Sequence, residues 1–366
     1  MRKILKATWV AVCFIVAIAY VVSCFSFCIP SASFSFISIF ALLFPYLFVS
    51  LIICCISLVF IRRQFAVIFL LIAFLAGFKN LGNTVAVNKS TWNMQKKNGS
   101  LRIMTWNVEA FGQQFQTPGT RILILKAIET YNPDIVCIQE YHNVENSVRV
   151  TPVEKQLTGM GFSFSYCSND STAIYGHTIV HSGVAIFSRI PLLDSTRTDI
   201  KSPARSESAI SADIFFNNKR VRIFTAHLAS LMLYTDTAGQ KNAKNIYEVT
   251  YKRKRQVEYK IRETEIAHEK EVTIIRDLID KSPYPVIYCG DINATPASYT
   301  YNKLRGNLQD AFLEKGFGIG ATFYKLFYTL RIDVCLADKK LQTEQCIVPQ
   351  LYLSDHFPVV SDLTWK

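Results

Sequence analysis

The first quarter of the chain consists of three long apolar runs that contain no charged residue. Residues 7–29 and 34–61 each exceed the roughly 20 apolar residues that a helix needs to cross a bilayer. Residues 65–78 form a third run of 14 residues, which crosses only if the helix continues through Leu81 or tilt reduces the distance to be spanned. A signal peptide is the alternative interpretation of the first run, because a short basic segment precedes it. The pattern predicts a transmembrane region of about three helices over residues 1–81.

From residue 101 onward the pattern changes to short apolar runs that end at polar residues, which is typical of strands in an α/β domain. Strands are predicted at residues 101–107, 135–140, 182–188, 221–227, 285–289 and 330–336, and residues 353–360 are predicted to close the domain. Apolar residues at helical spacing predict amphipathic helices at 120–131 and 247–281. The polar stretch 82–100 is predicted to be a linker to a domain that covers residues 101–366.

Charge is concentrated in two parts of the chain. The formal net charge is +12, and no acidic residue precedes Glu109, so the N-terminal apolar region is flanked by basic residues alone. Residues 241–262 hold eight basic residues against two acidic ones. This basic segment either contacts the phosphates of a nucleic acid or an anionic bilayer, or is a solvated helix face with i,i+4 ion pairs. The rest of the domain is neutral, which argues against a broad nucleic-acid-binding surface.

The ten cysteines do not indicate a disulfide framework or a structural zinc site. Five of them lie in the apolar N-terminal region, and Cys137, Cys289 and Cys335 lie in strand-like runs, where a free thiol acts as a small hydrophobic group. The sequence contains no Cys-x-x-Cys pair and no histidine at zinc spacing.

The stretch 284–296 has the clearest chemical potential. An apolar run at 285–289 predicts a buried strand, and Asp291 and Asn293 follow directly after it. If the extended geometry continues, these two side chains point to the same side, where they can bind a hard cation or a phosphate oxygen. The alternative is an Asx turn that only closes the strand.

Polar residues of catalytic type recur at the ends of the predicted strands. Any one of them has a structural explanation, such as a hydrogen-bonded core histidine, but together they predict one shared site. The candidate residues are Asn107, Glu140, His227, Asp291, Asn293, Asp333, Asp355 and His356.

The order of these motifs resembles that of the endonuclease/exonuclease/phosphatase superfamily of deoxyribonuclease I-like enzymes. The matching segments are residues 105–107, 133–140, 182–188, 226–228, 290–293, 331–333 and 354–356, and they extend through the whole of the predicted domain. The resemblance implies a four-layer α/β sandwich with two mostly antiparallel sheets. It also implies metal-dependent hydrolysis of a phosphoester.

The same resemblance implies a metal site. Glu140 would be the main ligand of Mg²⁺, with Asn107 beside it and Asp355 near the metal. Mn²⁺ is a possible substitute. The chemistry is consistent, because Mg²⁺ in proteins prefers few carboxylates, with water completing its coordination.

The resemblance also implies catalytic roles. Asp291 would position or activate the attacking water, and Asn293 would hold a phosphate oxygen. His356 would contact the scissile phosphate, and Asp333 would orient an active-site histidine, either His227 or His356. His227 departs from the apurinic endonucleases, which carry a tyrosine at that position, so the chain looks less like them.

The expected function is therefore that of a membrane-anchored, Mg²⁺-dependent phosphoester hydrolase of the phosphodiesterase or nuclease type. Its expected partner is a phosphoester substrate, with a nucleic acid, a phospholipid headgroup or a small phosphoester left open. A catalytically inactive, membrane-anchored binding module of the same fold is the alternative, although no residue of catalytic type is missing.

The basic residues around the apolar runs predict the orientation in the membrane. Arg2, Lys3 and Lys6 place the N-terminus in the cytoplasm by the positive-inside rule, and Arg62 and Arg63 place the second loop there. Three crossings then predict an integral protein of the inner or plasma membrane, with an extracytoplasmic catalytic domain. If the third run lies in the interface instead, the domain stays cytoplasmic.

Overall fold

A computed structural model describes residues 2–30, 32–89, 92–112, 119–147, 151–200, 208–230, 246–326 and 328–366, with the backbone alone for residue 2 and residues 246–256. It begins with the helices α1 (Arg2–Cys24), α2 (Ile37–Val59) and α3 (Arg63–Thr84). Each is long and apolar enough to cross a membrane, judged by length and composition. The third apolar run reaches this length because flanking polar residues extend its helix to 22 residues.

The three helices pack around a small buried core. The ring of Tyr20 on α1 stacks on that of Phe44 on α2, with 5.7 Å between the centroids. Its hydroxyl donates to the backbone oxygen of Ala73 on α3 at 2.6 Å. A Cβ at Gly77 would lie 1.8 Å from that hydroxyl, so the absence of a side chain at Gly77 lets the Tyr20 ring approach α3 closely.

The rest of the chain alternates strands and helices. The strands are β1 (Ala86–Val87), β2 (Leu101–Asn107), β3 (Ile135–Glu145), β4 (Phe164–Cys167), β5 (Ser171–Tyr175), β6 (Thr178–Ser188), β7 (Leu193–Thr198), β8 (Ala209–Phe216), β9 (Lys219–His227), β10 (Val286–Asp291), β11 (Gln309–Asp310), β12 (Phe317–Gly318), β13 (Asp333–Ala337), β14 (Leu341–Ile347) and β15 (Val359–Trp365). The helical segments are α4 (Glu109–Gly112), α5 (Thr120–Tyr131), α6 (Val153–Gly159), α7 (Ile246–Asp280), α8 (Tyr299–Arg305) and α9 (Ala311–Lys315). The short α4 is a left-handed turn, because Glu109, Ala110 and Phe111 all have positive φ.

Two sheets form the centre of the domain. One has six strands in the order β11-β13-β10-β9-β8-β7. The other has seven, in the order β14-β15-β2-β3-β6-β4, with β5 also paired to β6. Among the described strands, β2 with β3 and β9 with β10 pair in parallel, and the other pairs of both sheets are antiparallel.

Three apolar clusters hold the layers together. The cluster between the sheets combines residues of both, such as Ile103 and Ile186 from one and Ile223 and Ile287 from the other. A second cluster packs α5 and α6 against the outer face of the seven-stranded sheet. A third packs α7 and α8 against the outer face of the six-stranded sheet. The order helix, sheet, sheet, helix confirms the predicted four-layer sandwich of mostly antiparallel sheets.

The structure corrects the sequence predictions at two places and describes only part of the basic segment. Asp355 and His356, predicted on the closing strand, lie in the loop before β15, which begins at Val359. The strand predicted at 330–336 begins at Asp333. Of the basic segment 241–262, residues 241–245 lie outside the described residues, and the described remainder belongs to α7.

Residues 82–100, predicted to be a linker, are packed against the domain where the structure describes them. They include the end of α3 and the strand β1, which pairs with β12. The amide of Asn88 donates to the backbone oxygen of Leu313 at 2.8 Å. Farther along, the backbone N–H of Asn93 donates to the side chain of Gln345 at 2.8 Å.

Polar contacts join one end of the helical bundle to the domain. Ser26, just after α1, donates its hydroxyl to the backbone oxygen of Ala297 at 2.7 Å. Near the end of α3, the backbone oxygen of Asn83 accepts a bond from Arg331 at 2.5 Å, and the same guanidinium pairs with Asp310 at 2.5 Å. Arg331 and Asp310 are almost fully buried. The pair with Asp310 holds the Arg331 guanidinium where it bonds to Asn83, so this contact joins the end of α3 to the domain.

Candidate active site

The strand ends of the two sheets meet at one edge of the sandwich. In the six-stranded sheet, Asp291 at the end of β10 stands opposite His227 on β9 and opposite Asp333 on β13. In the seven-stranded sheet, Asn107 ends β2 and stands opposite Gln139 on β3. Glu140 follows directly.

Glu140 has an unusual backbone conformation. Its φ is +50°, and the pairing of β3 with β6 shifts register between Ile138 and Tyr141. A non-glycine residue in the left-handed region is strained and is often found at functional sites. The bulge turns the Glu140 carboxylate toward Asn107, which donates to it at 3.1 Å.

Asn107 connects the two sheets. Its side-chain nitrogen donates to Glu140 and also to Asp291, each at 3.1 Å. Its side-chain oxygen accepts from the backbone N–H of Glu109 at 3.1 Å. To act as a metal ligand, Asn107 would have to offer this oxygen, so in the present arrangement the amide orients two carboxylates.

Asp291 lies at the centre of the group and is fully buried. A Cβ at the preceding Gly290 would lie 2.3 Å from the backbone oxygen of Ala226, so only glycine lets β10 approach β9 this closely. Burial, and then the charge of Asp333, raise the pKa of Asp291 to about 6. The carboxylate is therefore ionised at neutral pH.

The structure answers which histidine Asp333 contacts. His356 Nδ1 lies 2.8 Å from Asp333, and its Nε2 faces Asp291 at 3.7 Å. Burial alone would favour the neutral ring, but the charges of Asp333 and Asp291 outweigh burial and raise the pKa of His356 to about 10. The ring is therefore a buried imidazolium at neutral pH. His227 Nε2 faces the same oxygen of Asp291, Oδ2, at 3.5 Å.

The sequence suggested that the extended strand continues to Asn293, but it does not. Its φ is +48°, its backbone N–H donates to Asp291 at 2.9 Å, and its side-chain nitrogen donates to the backbone oxygen of Leu228 at 2.9 Å. The Asx turn that was the alternative interpretation is therefore present. Asn293 nevertheless lines the same cavity as Asp291.

Glu109 joins the site, and the sequence analysis missed it. Its carboxylate accepts from the backbone N–H of Asp355 at 3.2 Å. Burial, and then the charge of Asp355, raise the pKa of Glu109 to about 7, with a smaller contribution from Glu140. Burial and Glu140 likewise raise the pKa of Asp355, against the opposing charge of His356. The available signal was its position two residues after Asn107, but the left-handed turn that begins at Glu109 has no sequence periodicity.

The donor set suits a hard divalent cation. Glu109, Glu140 and Asp355 place three carboxylates close enough to raise the pKa of two of them, and a cation would relieve this repulsion. Oxygen donors of this kind fit Mg²⁺ and Mn²⁺. Asp291, Asp333 and His356 also present ligand atoms within 4.8 Å of one another. There Nδ1 of His356 is bonded to Asp333 and the protonated ring has no free lone pair at Nε2, so this second group is better described as an orienting pair beside a carboxylate.

Eight residues of the candidate site line one cavity of about 830 Å³: Asn107, Glu109, Glu140, His227, Asp291, Asn293, Asp355 and His356. Asp333 lies behind His356 and does not line it. One wall is formed by the domain. Another is formed by residues at the start of α2, among them Ile37, Ala41 and Leu42. The candidate catalytic groups therefore share a cavity with a helix that is apolar enough to cross a membrane.

Solved structures with the same architecture support the fold assignment. The human Nocturnin catalytic domain with bound sulfate is similar over 74% of this chain and 97% of that chain, with 18% identity and a TM-score of 0.52. An endonuclease/exonuclease/phosphatase from Beutenbergia cavernae is similar over 74% and 72%, with 16% identity and a TM-score of 0.50. A functionally unknown conserved protein from Enterococcus faecalis is similar over 73% and 100%, also with 16% identity and a TM-score of 0.50.

Comparison with family models divides the chain in two. Residues 2–84 match a domain of unknown function (DUF8431). Residues 104–356 match the Endonuclease/Exonuclease/phosphatase family. A search of curated proteins gave no match. Since the second model covers more than half of the 366 residues, the chain belongs to the Endonuclease/Exonuclease/phosphatase family.

Proposed function

We propose that this protein is a Mg²⁺-dependent phosphoester hydrolase held in a membrane by its N-terminal helices. The observation that carries the proposal is the meeting of Asn107, Glu140, Asp291 and His356 at one edge of the two sheets, in a single cavity. Phosphoryl transfer needs neutralised charge, an oriented water and a group that stabilises the leaving oxygen. The side chains present, together with the ion that they would hold, would supply all three.

The carboxylates of Glu140, Asp355 and Glu109 would hold the ion, with Mn²⁺ able to replace Mg²⁺. When bound, the ion supplies positive charge next to the phosphate oxygens. Asn107 keeps Glu140 and Asp291 at fixed positions through its two hydrogen bonds. This support matters because ligand orientation depends on the neighbouring hydrogen bonds.

Asp291 would orient the attacking water and take its proton, since it is ionised, buried and close to two histidines. His356, held by Asp333, carries a proton that it can give to the leaving alcohol oxygen. His227 and Asn293 flank Asp291 and would contact the non-bridging phosphate oxygens. All of these roles are consistent with a water attacking phosphorus in line with the leaving group.

The activity is tested with the purified full-length chain in detergent. Plasmid DNA, RNA, phospholipid, inositol phosphates and bis-p-nitrophenyl phosphate are incubated in parallel with Mg²⁺, with Mn²⁺ and with EDTA. We expect Mg²⁺-stimulated release of product from at least one substrate and none in EDTA. A folded protein that binds one of these ligands without turning over any of them would instead support the inactive binding module.

The orientation of the helices leads to a separate prediction. The end of α1 and the end of α3 both contact the domain. Arg62 and Arg63 lie where α2 is followed by α3, at the opposite end of the bundle. With the basic loop in the cytoplasm, the domain is extracytoplasmic. Alkaline phosphatase fused to the C-terminus should therefore be active, and a cytoplasmically active reporter at the same site should be inactive. An expressed but inactive phosphatase fusion would contradict this orientation.

A further inference from the structure

The cavity that holds the candidate catalytic groups is built partly from a membrane helix. Ile37, Ser38, Ala41 and Leu42 lie in the first two turns of α2 and line it together with Asp291 and His356. These residues also begin the span Ile37–Val59. A soluble phosphoesterase does not need a membrane helix beside its reacting phosphate, so this shared wall calls for an explanation.

The depth of the wall matches a membrane lipid. At 1.5 Å per residue, Leu42 lies about 7 Å along α2 from Ile37. Since the apolar span begins at Ile37, the polar centre of the cavity lies at the membrane surface and the α2 wall reaches into the acyl region. A bilayer lipid has the same arrangement, with its phosphate at the surface and its chains parallel to the helices.

The domain itself also reaches down along the helix. Thr329 and Tyr46 share a hydrogen bond of 2.7 Å between their hydroxyls, and Tyr46 lies about 13 Å along α2 from Ile37. Beside Thr329, Tyr328 is 64% exposed, and Leu326, which lines the cavity, is 40% exposed. At this depth below the start of the span, exposed apolar side chains would lie against the acyl chains of the bilayer.

The helix and the domain are held in fixed relation, so the wall is a built feature of the site. The buried Asp310–Arg331 pair bonds to the end of α3, and Ser26 bonds to Ala297. Lys325 from the segment before Leu326 also lines the cavity and adds a cationic group for an anionic headgroup. The volume of about 830 Å³ exceeds what an inorganic phosphate fills and lies in the range of ligand sites for larger molecules.

We infer that the substrate is a membrane lipid with a phosphorylated headgroup, which enters from the bilayer with its acyl chains against the Ile37–Leu42 wall. This inference rests on the proposed hydrolase function. In the reaction, the oxygen of water bonds to phosphorus and one P–O ester bond of the headgroup breaks. One proton of the water passes to Asp291 and the other stays on the new P–OH group, while the leaving alcohol oxygen takes a proton from His356.

The test uses the full-length chain in vesicles of phosphatidylcholine, phosphatidylglycerol and sphingomyelin. Hydrolysis is followed as phosphate in the aqueous and chloroform-extractable fractions. Short-chain dibutyroyl phosphatidylcholine and bis-p-nitrophenyl phosphate serve as soluble references. We expect Mg²⁺-dependent turnover of at least one vesicle lipid, at a higher kcat/KM than that of the soluble references, and faster than turnover of DNA or RNA.

Two neighbouring leucines give a matched pair of variants. Leu42→Trp fills the space beside the Ile37–Leu42 wall where the acyl chains would lie. Leu43→Trp makes the same change on a side chain that does not line the cavity and is 36% exposed. The ratio of vesicle-lipid to soluble-ester hydrolysis should fall about tenfold or more in Leu42→Trp, since contact with several acyl methylenes is lost. It should be unchanged in Leu43→Trp.

The outcomes separate the inference from the function on which it rests. Turnover of soluble esters or nucleic acid without turnover of any vesicle lipid would overturn the lipid inference and leave the hydrolase function standing. An equal ratio in the two leucine variants would do the same. Turnover of no phosphoester at all, in a protein with the wild-type melting temperature in Mg²⁺, would reject the hydrolase function itself.

Discussion

Replacing Glu140 by glutamine is expected to reduce kcat/KM for phosphoester hydrolysis by about 10²–10⁴-fold. The electrostatic stabilisation that a bound divalent ion gives is worth several kcal/mol, and about 1.4 kcal/mol corresponds to a tenfold change in rate. Glutamine keeps the shape of the side chain and can still accept the hydrogen bond from Asn107. The fold and its bulge at this position should therefore persist, and the loss should come from weaker Mg²⁺ binding.

The measurement is a Mg²⁺ titration of activity, together with calorimetric titration of the ion in the absence of substrate. Glu145→Gln is the matched control, because Glu145 lies on the same strand and undergoes the same chemical change. Its side chain is 44% exposed and lies 3.8 Å from His181, so it should leave both activity and Mg²⁺ binding unchanged. Near-normal turnover of the Glu140→Gln protein at limiting Mg²⁺ would remove Glu140 from the metal site.

Several buried elements of the fold could be predicted from the sequence. The strand at 101–107 and the helix at 120–131 are observed with these same bounds. Each has a regular apolar pattern that ends at a polar or helix-breaking residue, such as Asn107 or Asn132. The edge strands β4, β5 and β7 were not predicted, since most of their side chains are partly or fully exposed and carry little alternation.

Most of the candidate site could be predicted, because its polar residues lie at the end of, or within, apolar strand-like runs. Asp291 and Asn107 have that position, whereas Glu109 and Lys325 reach the cavity from irregular segments. Backbone conformations were also out of reach. Glu140 and Asn293 both have positive φ, and glutamate has no intrinsic preference for it, so the conformation arises from tertiary packing.

The use of α2 could not be predicted at all. Leu42 lines the cavity of the candidate site and Leu43 does not, yet both are equally apolar. A residue that faces lipid and one that faces a protein cavity satisfy the same hydrophobic requirement, so the apolar pattern of the run does not distinguish them.

The second large effect is expected at His356. His356→Asn should lower kcat by about 10²–10⁴-fold, as is typical when a proton donor or charge-stabilising group is removed. The asparagine nitrogen can replace Nδ1 as donor to Asp333, which lies 2.8 Å from that atom. It cannot replace Nε2, which faces Asp291. The melting temperature should stay close to that of the wild type.

His356→Ala should lose both activity and stability, and this difference from asparagine tests the role of the ring. Alanine leaves the carboxylate of Asp333, itself 1% exposed, without its partner, which typically costs about 3–5 kcal/mol. Asp333→Asn adds a readout that a structural role would not give. Because the charge of Asp333 raises the pKa of His356, removing it should lower that pKa, so the alkaline limb of the pH–rate profile should move to lower pH. An asparagine variant at position 356 that keeps nearly full activity, or an unshifted profile in Asp333→Asn, would show that the imidazolium does not act on the leaving group.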